Sequence, residues 1–148
     1  MISARARFAT RALLDLTMHE GCGPVQVEDI AARQNIPLKY LQQILRSMKE
    51  PGFVESRKGP GGGYSLAKPA EEITLAAVLR HVDGPIAPVS CVSVFSYREC
   101  GCPDPDTCAL RGAYGEVRDA MAEVLESRTF ADLAKTHGKR SNSTEPRS

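Results

Sequence analysis

Tryptophan is absent from the 148-residue chain, and Phe and Tyr together supply only 5% of it. A core built from this sequence must therefore rest on Leu, Val, Ile and Ala. No apolar run approaches the ~20 residues needed to span a bilayer. Residues 1–8 (MISARARF) lack the continuous apolar core of a secretory leader. These absences make a soluble, cytoplasmic protein with no membrane partner the expectation. Histidine is scarce: His19, His81 and His137 fall on separate predicted elements with no evident nucleophile or carboxylate partner, which argues against an enzyme. Apolar residues (42%) and charged residues (25%) stand near globular averages, so wholesale disorder is excluded.

Net charge is +1, but unevenly spread. Residues 1–68 carry 10 Lys/Arg against 6 Asp/Glu, and residues 69–148 carry 9 against 12. A basic first half suits a polyanionic partner, although an excess of this size also fits an ordinary solvated surface.

The first half reads as short helices followed by a hairpin. Phe8, Ala12, Leu13 and Leu16 recur at helical spacing over 4–19, and Gly21-Cys22-Gly23-Pro24 ends that helix. Val25-Gln26-Val27 suggests a short strand. A second helix spans about 28–34 with Ile30 and Ala31 inward, and Pro37 opens a third over 38–49 with Leu38, Leu41, Ile44, Leu45 and Met48 inward. Two helices separated by three residues have helix-turn-helix spacing. Phe53–Arg57 and Tyr64–Ala67 alternate as strands around Lys58-Gly59-Pro60-Gly61-Gly62-Gly63, which places a wing directly after the second helix of that pair. The fold class expected is mainly α with a small β wing: a winged helix-turn-helix over 1–82.

Candidate nucleic-acid contacts follow. The solvent side of helix 38–49 presents Lys39, Tyr40, Gln42, Gln43, Arg46 and Lys49, with Leu38 at its start. Gln reads adenine, and Arg or Lys reads guanine, in the major groove. In the wing, Arg57 and Lys58 flank Pro60, Gly61, Gly62 and Gly63, whose bare backbone suits close approach to phosphate.

The second half differs. A short helix covers 74–82, residues 83–108 are rich in Pro, Gly and Cys without lasting period, and a long helix over 109–127 is followed by a short one near 129–133. A loop of that length usually has a function. It holds Cys91, Cys100, Cys102 and Cys108, four of the five cysteines, within 18 residues. Clustered thiols outside an oxidising compartment point to a metal site or redox chemistry, whereas Cys22 between two glycines reads as incidental. The polar tail over 137–148 is expected to be disordered.

The run Ile36-Pro37-Leu38-Lys39-Tyr40-Leu41-Gln42-Gln43-Ile44-Leu45, the wing Gly59-Pro60-Gly61-Gly62-Gly63-Tyr64 and the Arg7-Phe8-Ala9 element resemble the Rrf2 family of bacterial transcription regulators over about residues 1–135. Pro51 departs from the small residue usual there. The resemblance implies a homodimer on an imperfect palindromic operator in double-stranded DNA, with residues 109–136 as the dimerisation region. It also implies an iron–sulfur cluster, [2Fe-2S] or [4Fe-4S], in the loop. Cys102 and Cys108 reproduce the family's final spacing, Cys91 stands for its first cysteine, and Cys100 is additional. The fourth ligands used by family members are missing, because Arg111 and Arg7 occupy those positions. All four loop cysteines together are therefore the ligand set inferred. Zinc, a thiol–disulfide switch without metal, and a protein-interaction module with little DNA affinity remain the alternatives.

Overall fold

The computed structural model describes residues 2–139. Ser3 starts the first helix, α1 (Ala4–Met18), by accepting the Ala6 N–H at its Oγ, 3.0 Å away. Ala6, Ala9, Ala12, Leu13 and Leu16 are buried along one stripe of α1. Small residues there let α3 and α4 approach closely, which is how a core without Trp fills. α2 (Val27–Gln34) ends at Asn35 in the left-handed conformation (φ 53°), and α3 (Leu38–Ser47) begins three residues later. Strands β1 (Val54–Arg57) and β2 (Gly63–Leu66) pair antiparallel, with Val54 opposite Leu66 and Arg57 opposite Gly63. They are followed by α4 (Leu75–Asp83), the cysteine loop, α5 (Ala109–Ser127) and α6 (Phe130–Thr136). The expected winged helix-turn-helix class is the one observed.

One buried ionic group joins α1 to the helix-turn-helix. Asp15, 1% exposed, accepts from Arg33 Nε (3.0 Å), Arg33 Nη2 (2.7 Å) and Gln34 Nε2 (3.0 Å). His19 Nδ1 lies 3.5 Å from the same carboxylate, so this histidine has a carboxylate partner that the sequence did not reveal, in a structural role. His81, next to the apolar stripe of α4, donates from Nε2 to the Ser47 carbonyl (3.0 Å) and meets Phe53 edge-on, which holds α4 against the end of α3.

The long helix is fastened at its C-terminal end. Leu75 N–H donates to the Arg128 carbonyl (2.8 Å) and Phe130 N–H to the Ile73 carbonyl (3.0 Å), and Phe130 then enters the core. A Thr129–Asp132 capping box starts α6 and returns the chain to α1.

Several expectations need correction. Val25–Val27 is not a strand: Val25 alone pairs, with Tyr64, and Val27 already belongs to α2. Leu38 points outward, 38% exposed, because the first turn of α3 projects beyond the core. α3 ends at Ser47, leaving Lys49 in the following turn, and the last helix continues to Thr136. Residues 140–148 of the expected disordered tail lie outside the described residues. Among the described residues no helix is long and apolar enough to cross a membrane.

Burial pushes the Asp15 carboxyl up, but the hydrogen bonds and charge of Arg33, with Gln34 and His19, outweigh it and hold the pKa below its ordinary value. A depressed folded-state pKa contributes stability that is full above the unfolded value and is lost as pH falls through the folded one. Asp15→Asn should therefore cost about 2 kcal/mol at neutral pH, a figure reduced for the part-exposed Arg33. Denaturant unfolding at several pH values should show the gap to wild type closing below about pH 4.

Candidate nucleic-acid interface and cysteine loop

On α3, Leu38, Lys39, Gln43 and Arg46 are exposed, while Gln42 and Tyr40 are half-buried. The Tyr40 ring meets Phe8 edge-on at 5.7 Å, and the Arg11 guanidinium lies over the Phe8 ring, 5.6 Å from its centroid. Arg11 also donates to the Gln34 carbonyl. Tyr40 thus has a packing role that holds the first turn of α3 to α1, while Arg11 ties α1 to the end of α2, contacts with no signal in the sequence beyond the helical register of Phe8 and Arg11.

In the wing, Arg57, Lys58, Pro60 and Gly61 are exposed, whereas Gly62 is buried and Gly63 half-buried. The glycine run is not uniformly an open backbone for phosphate. A Cβ on Gly62 would stand 2.2 Å from the Arg57 carbonyl oxygen, and one on Gly63 would stand 2.4 Å from the Val25 carbonyl oxygen. Gly63 also holds φ 147°. These two glycines let the wing close and dock on the α1–α2 connection, where Val25 and Tyr64 exchange two 2.7 Å backbone hydrogen bonds. Among the described residues, no carboxylate pairs with Lys39, Arg46, Arg57 or Lys58.

The cysteine loop is folded by arginines. Cys91 lies in a 3-10 turn (Ser90–Val92) and Cys108 caps α5, its Sγ accepting the Arg111 N–H at 3.4 Å. Both sulfur residues are half-buried and line one hollow of about 340 Å³ with Asp106, Arg111 and Arg118. Arg118 Nη1 donates to the Val92 carbonyl (2.6 Å), and Arg111 Nη1 to the Pro105 carbonyl (3.3 Å). Arg111 also pairs with Asp106 at 3.7 Å and lies 5.9 Å from the Tyr97 ring centroid. The residue standing where family members have a histidine ligand is therefore a clasp for the loop.

Cys100 and Cys102 are exposed. Cys102 N–H donates to Cys100 Sγ (3.4 Å). The Cys102 thiol and amide hydrogen bonds, with the Arg111 charge, hold the Cys100 thiol below its ordinary pKa. The same contact pushes Cys102 up, to which the charges of Cys108 and Cys91 add. Among the described residues no three ligating side chains are already gathered as a metal-holding group. The donor set is still chemically suited to a soft metal or an iron–sulfur cluster, since two thiols share a hollow and two stand on an exposed Gly-containing turn.

Beyond the loop, α5 has no buried residue, and Leu110, Val117 and Val124 are 66%, 46% and 54% exposed.

The family model described as Rrf2, iron-dependent transcriptional regulator, matches residues 2–136. The protein rrf2 of Nitratidesulfovibrio vulgaris is 38% identical over 134 residues, covering 90% of this chain and 87% of that one. Among solved structures, CymR, the global cysteine regulator of B. subtilis, superposes with a TM-score of 0.78 at 32% identity, covering 91% of this chain and 96% of that one. T. potens IscR does so at 0.74 and 29%, covering 91% and 86%. The relatives are regulators, not enzymes, and with the wing, the helix-turn-helix and the match over nearly its whole length the chain belongs to the Rrf2 family of transcription regulators.

Proposed function

We propose that this chain is a homodimeric regulator that binds an imperfect palindromic operator in cytoplasmic double-stranded DNA and responds to iron or redox status through its cysteine loop. The first half, 1–82, carries the DNA-binding surface. The reading rests most on one observation: Cys108 caps a 19-residue helix that the described residues of its own chain leave without a buried residue. A helix of this kind needs a partner surface, and a second copy of α5 supplies one.

Gln42, Gln43, Lys39 and Arg46 of α3, with Leu38 and Tyr40 at its edge, face base edges in this reading. Arg57 and Lys58 beside Pro60, Gly61, Gly62 and Gly63 contact backbone or minor groove. Their freedom from acidic partners leaves the charge available for phosphate.

Cys91, Cys100, Cys102 and Cys108 would hold an iron–sulfur cluster, a reading that the iron-dependent description of the family model supports. Such a cluster supplies one-electron redox chemistry and sensitivity to oxidants. Around it, Arg111 and Arg118 hold the two turns that present Cys91 and Cys108. Cys108, whose sulfur caps α5, would hold the cluster at the start of that helix and so connect the loop to the dimer geometry and the spacing of the two recognition helices. A metal-free thiol mechanism is the second reading, favoured by the Cys100–Cys102 contact, while zinc on the same four thiols is a third occupant of the site.

Four outcomes are expected. In salt titrations of operator binding, Arg57→Ala should weaken binding to every sequence and lower the salt slope by about 1, whereas Gln43→Ala should relax sequence preference at a cost of about 1–3 kcal/mol. Visible absorption and iron–sulfide analysis of anaerobically purified protein should show a cluster that Cys91→Ala and Cys108→Ser both abolish. Far-UV circular dichroism of the metal-free variants should show Cys108→Ser keeping the cap of α5 while Cys108→Ala loses about 1 kcal/mol of it. Val117→Asp with Met121→Asp should sediment as a monomer with operator affinity down by at least about tenfold.

A further inference from the structure

Cys100-Gly101-Cys102 has a geometry that a shared role as two of four ligands does not require. Both residues are exposed, one glycine separates them, and that glycine holds φ 71°, which turns the chain back on itself. The turn brings the Cys102 N–H onto Cys100 Sγ at 3.4 Å. Cys91 and Cys108 are placed differently. They are half-buried on separate anchored elements, one in the turn that Arg118 grips at Val92 and the other at the start of α5. Closing a ring between neighbours in one turn carries almost no loop entropy, while joining Cys108 to either loop sulfur disturbs the first turn of the helix.

From this juxtaposition we infer that Cys100 and Cys102 are a dithiol that hydroperoxides close into an intraloop disulfide. Cys100 Sγ attacks one oxygen of the hydroperoxide. The O–O bond breaks, the other oxygen leaves as water or an alcohol with the thiol proton, and Cys100 becomes a sulfenic acid. Cys102 Sγ then displaces water from that sulfur and the S–S bond forms. The two sulfurs are oxidised by two electrons in all, and the hydroperoxide is reduced by two. A small exposed disulfide of this kind is readily reopened by thiols, as a reversible signal requires. Its formation removes two of the four donors proposed for the cluster, so the closed loop loads no metal until it is reduced.

The inference concerns regulation of the loop proposed above as the sensor, but the disulfide itself needs no cluster. The 148-residue chain, stripped of metal by a chelator under anaerobic conditions, is treated with one equivalent of hydrogen peroxide, alkylated and digested with trypsin. Alkylatable thiols should fall from five to three. The fragment 99–111 should carry the new bond with Cys108 still alkylated, and dithiothreitol should restore all five. Cys102→Ser should stop at a Cys100 sulfenic acid that dimedone traps. Cys91→Ser with Cys108→Ser should close at the wild-type rate to within about two-fold. Five thiols still alkylatable, a bond involving Cys91 or Cys108, or disulfide between chains would overturn the assignment. Absence of a cluster in untreated protein would count against the cluster reading alone and leave this result standing.

Discussion

The carboxylate of Asp15 sets the position of everything that faces DNA in this reading. It is the one acidic side chain on the buried stripe of α1, and it takes three hydrogen bonds from the last two residues of α2. A carboxylate so deep is unfavourable unless its partners are fully engaged, so the geometry of Arg33 and Gln34 is tightly specified. The turn to α3 starts at the next residue. Orientation of the recognition helix relative to α1 is thus fixed by polar chemistry, while the Leu41, Ile44, Leu45 and Met48 face supplies the burial.

Small residues do the complementary work. With no tryptophan, the centre of the molecule is Ala6, Ala9 and Ala12 against α4 and α3, so helix backbones come close instead of being separated by large rings. The same economy of volume recurs in the wing, where Gly63 sits against the Val25 carbonyl and any side chain would push the hairpin away. The wing is consequently part of the rigid body that carries α3.

Much of this was legible in the chain. Helical periodicity located α1 and the full span of α5, and the Gly-Pro-Gly-Gly-Gly run marked the wing, because both signals are local. Where the structure departed, tertiary contacts decided. Leu38 matches the inward register of α3 but lies beyond the neighbouring helices, so it faces solvent. Val25 has strand propensity and finds a single partner, Tyr64, since no second strand is adjacent. In the wing, two of the glycines serve internal packing that spacing cannot distinguish from phosphate access. The cysteine loop was readable as chemistry and not as geometry. Nothing periodic in residues 83–108 announces that Arg111 and Arg118, both on α5, reach back to its carbonyls, nor that Cys108 serves as a helix cap.

The uneven stitching of α5 along its length has a mechanical meaning for the proposed regulator. Its 19 residues make a beam about 28 Å long, tied by backbone hydrogen bonds where Arg128 and Phe130 meet Leu75 and Ile73, while toward the Cys108 end its ties run through arginine contacts with the cysteine loop. A pivot of about 10° at the pinned end carries the far end through about 5 Å, so a small force at the thiol end acts on a long arm. In that reading the torque would be delivered where α4 and α6 meet α1, the helix on which α2 and α3 pack. In the proposed regulator, leverage of this kind would let a sulfur far from the wing turn that body as a unit.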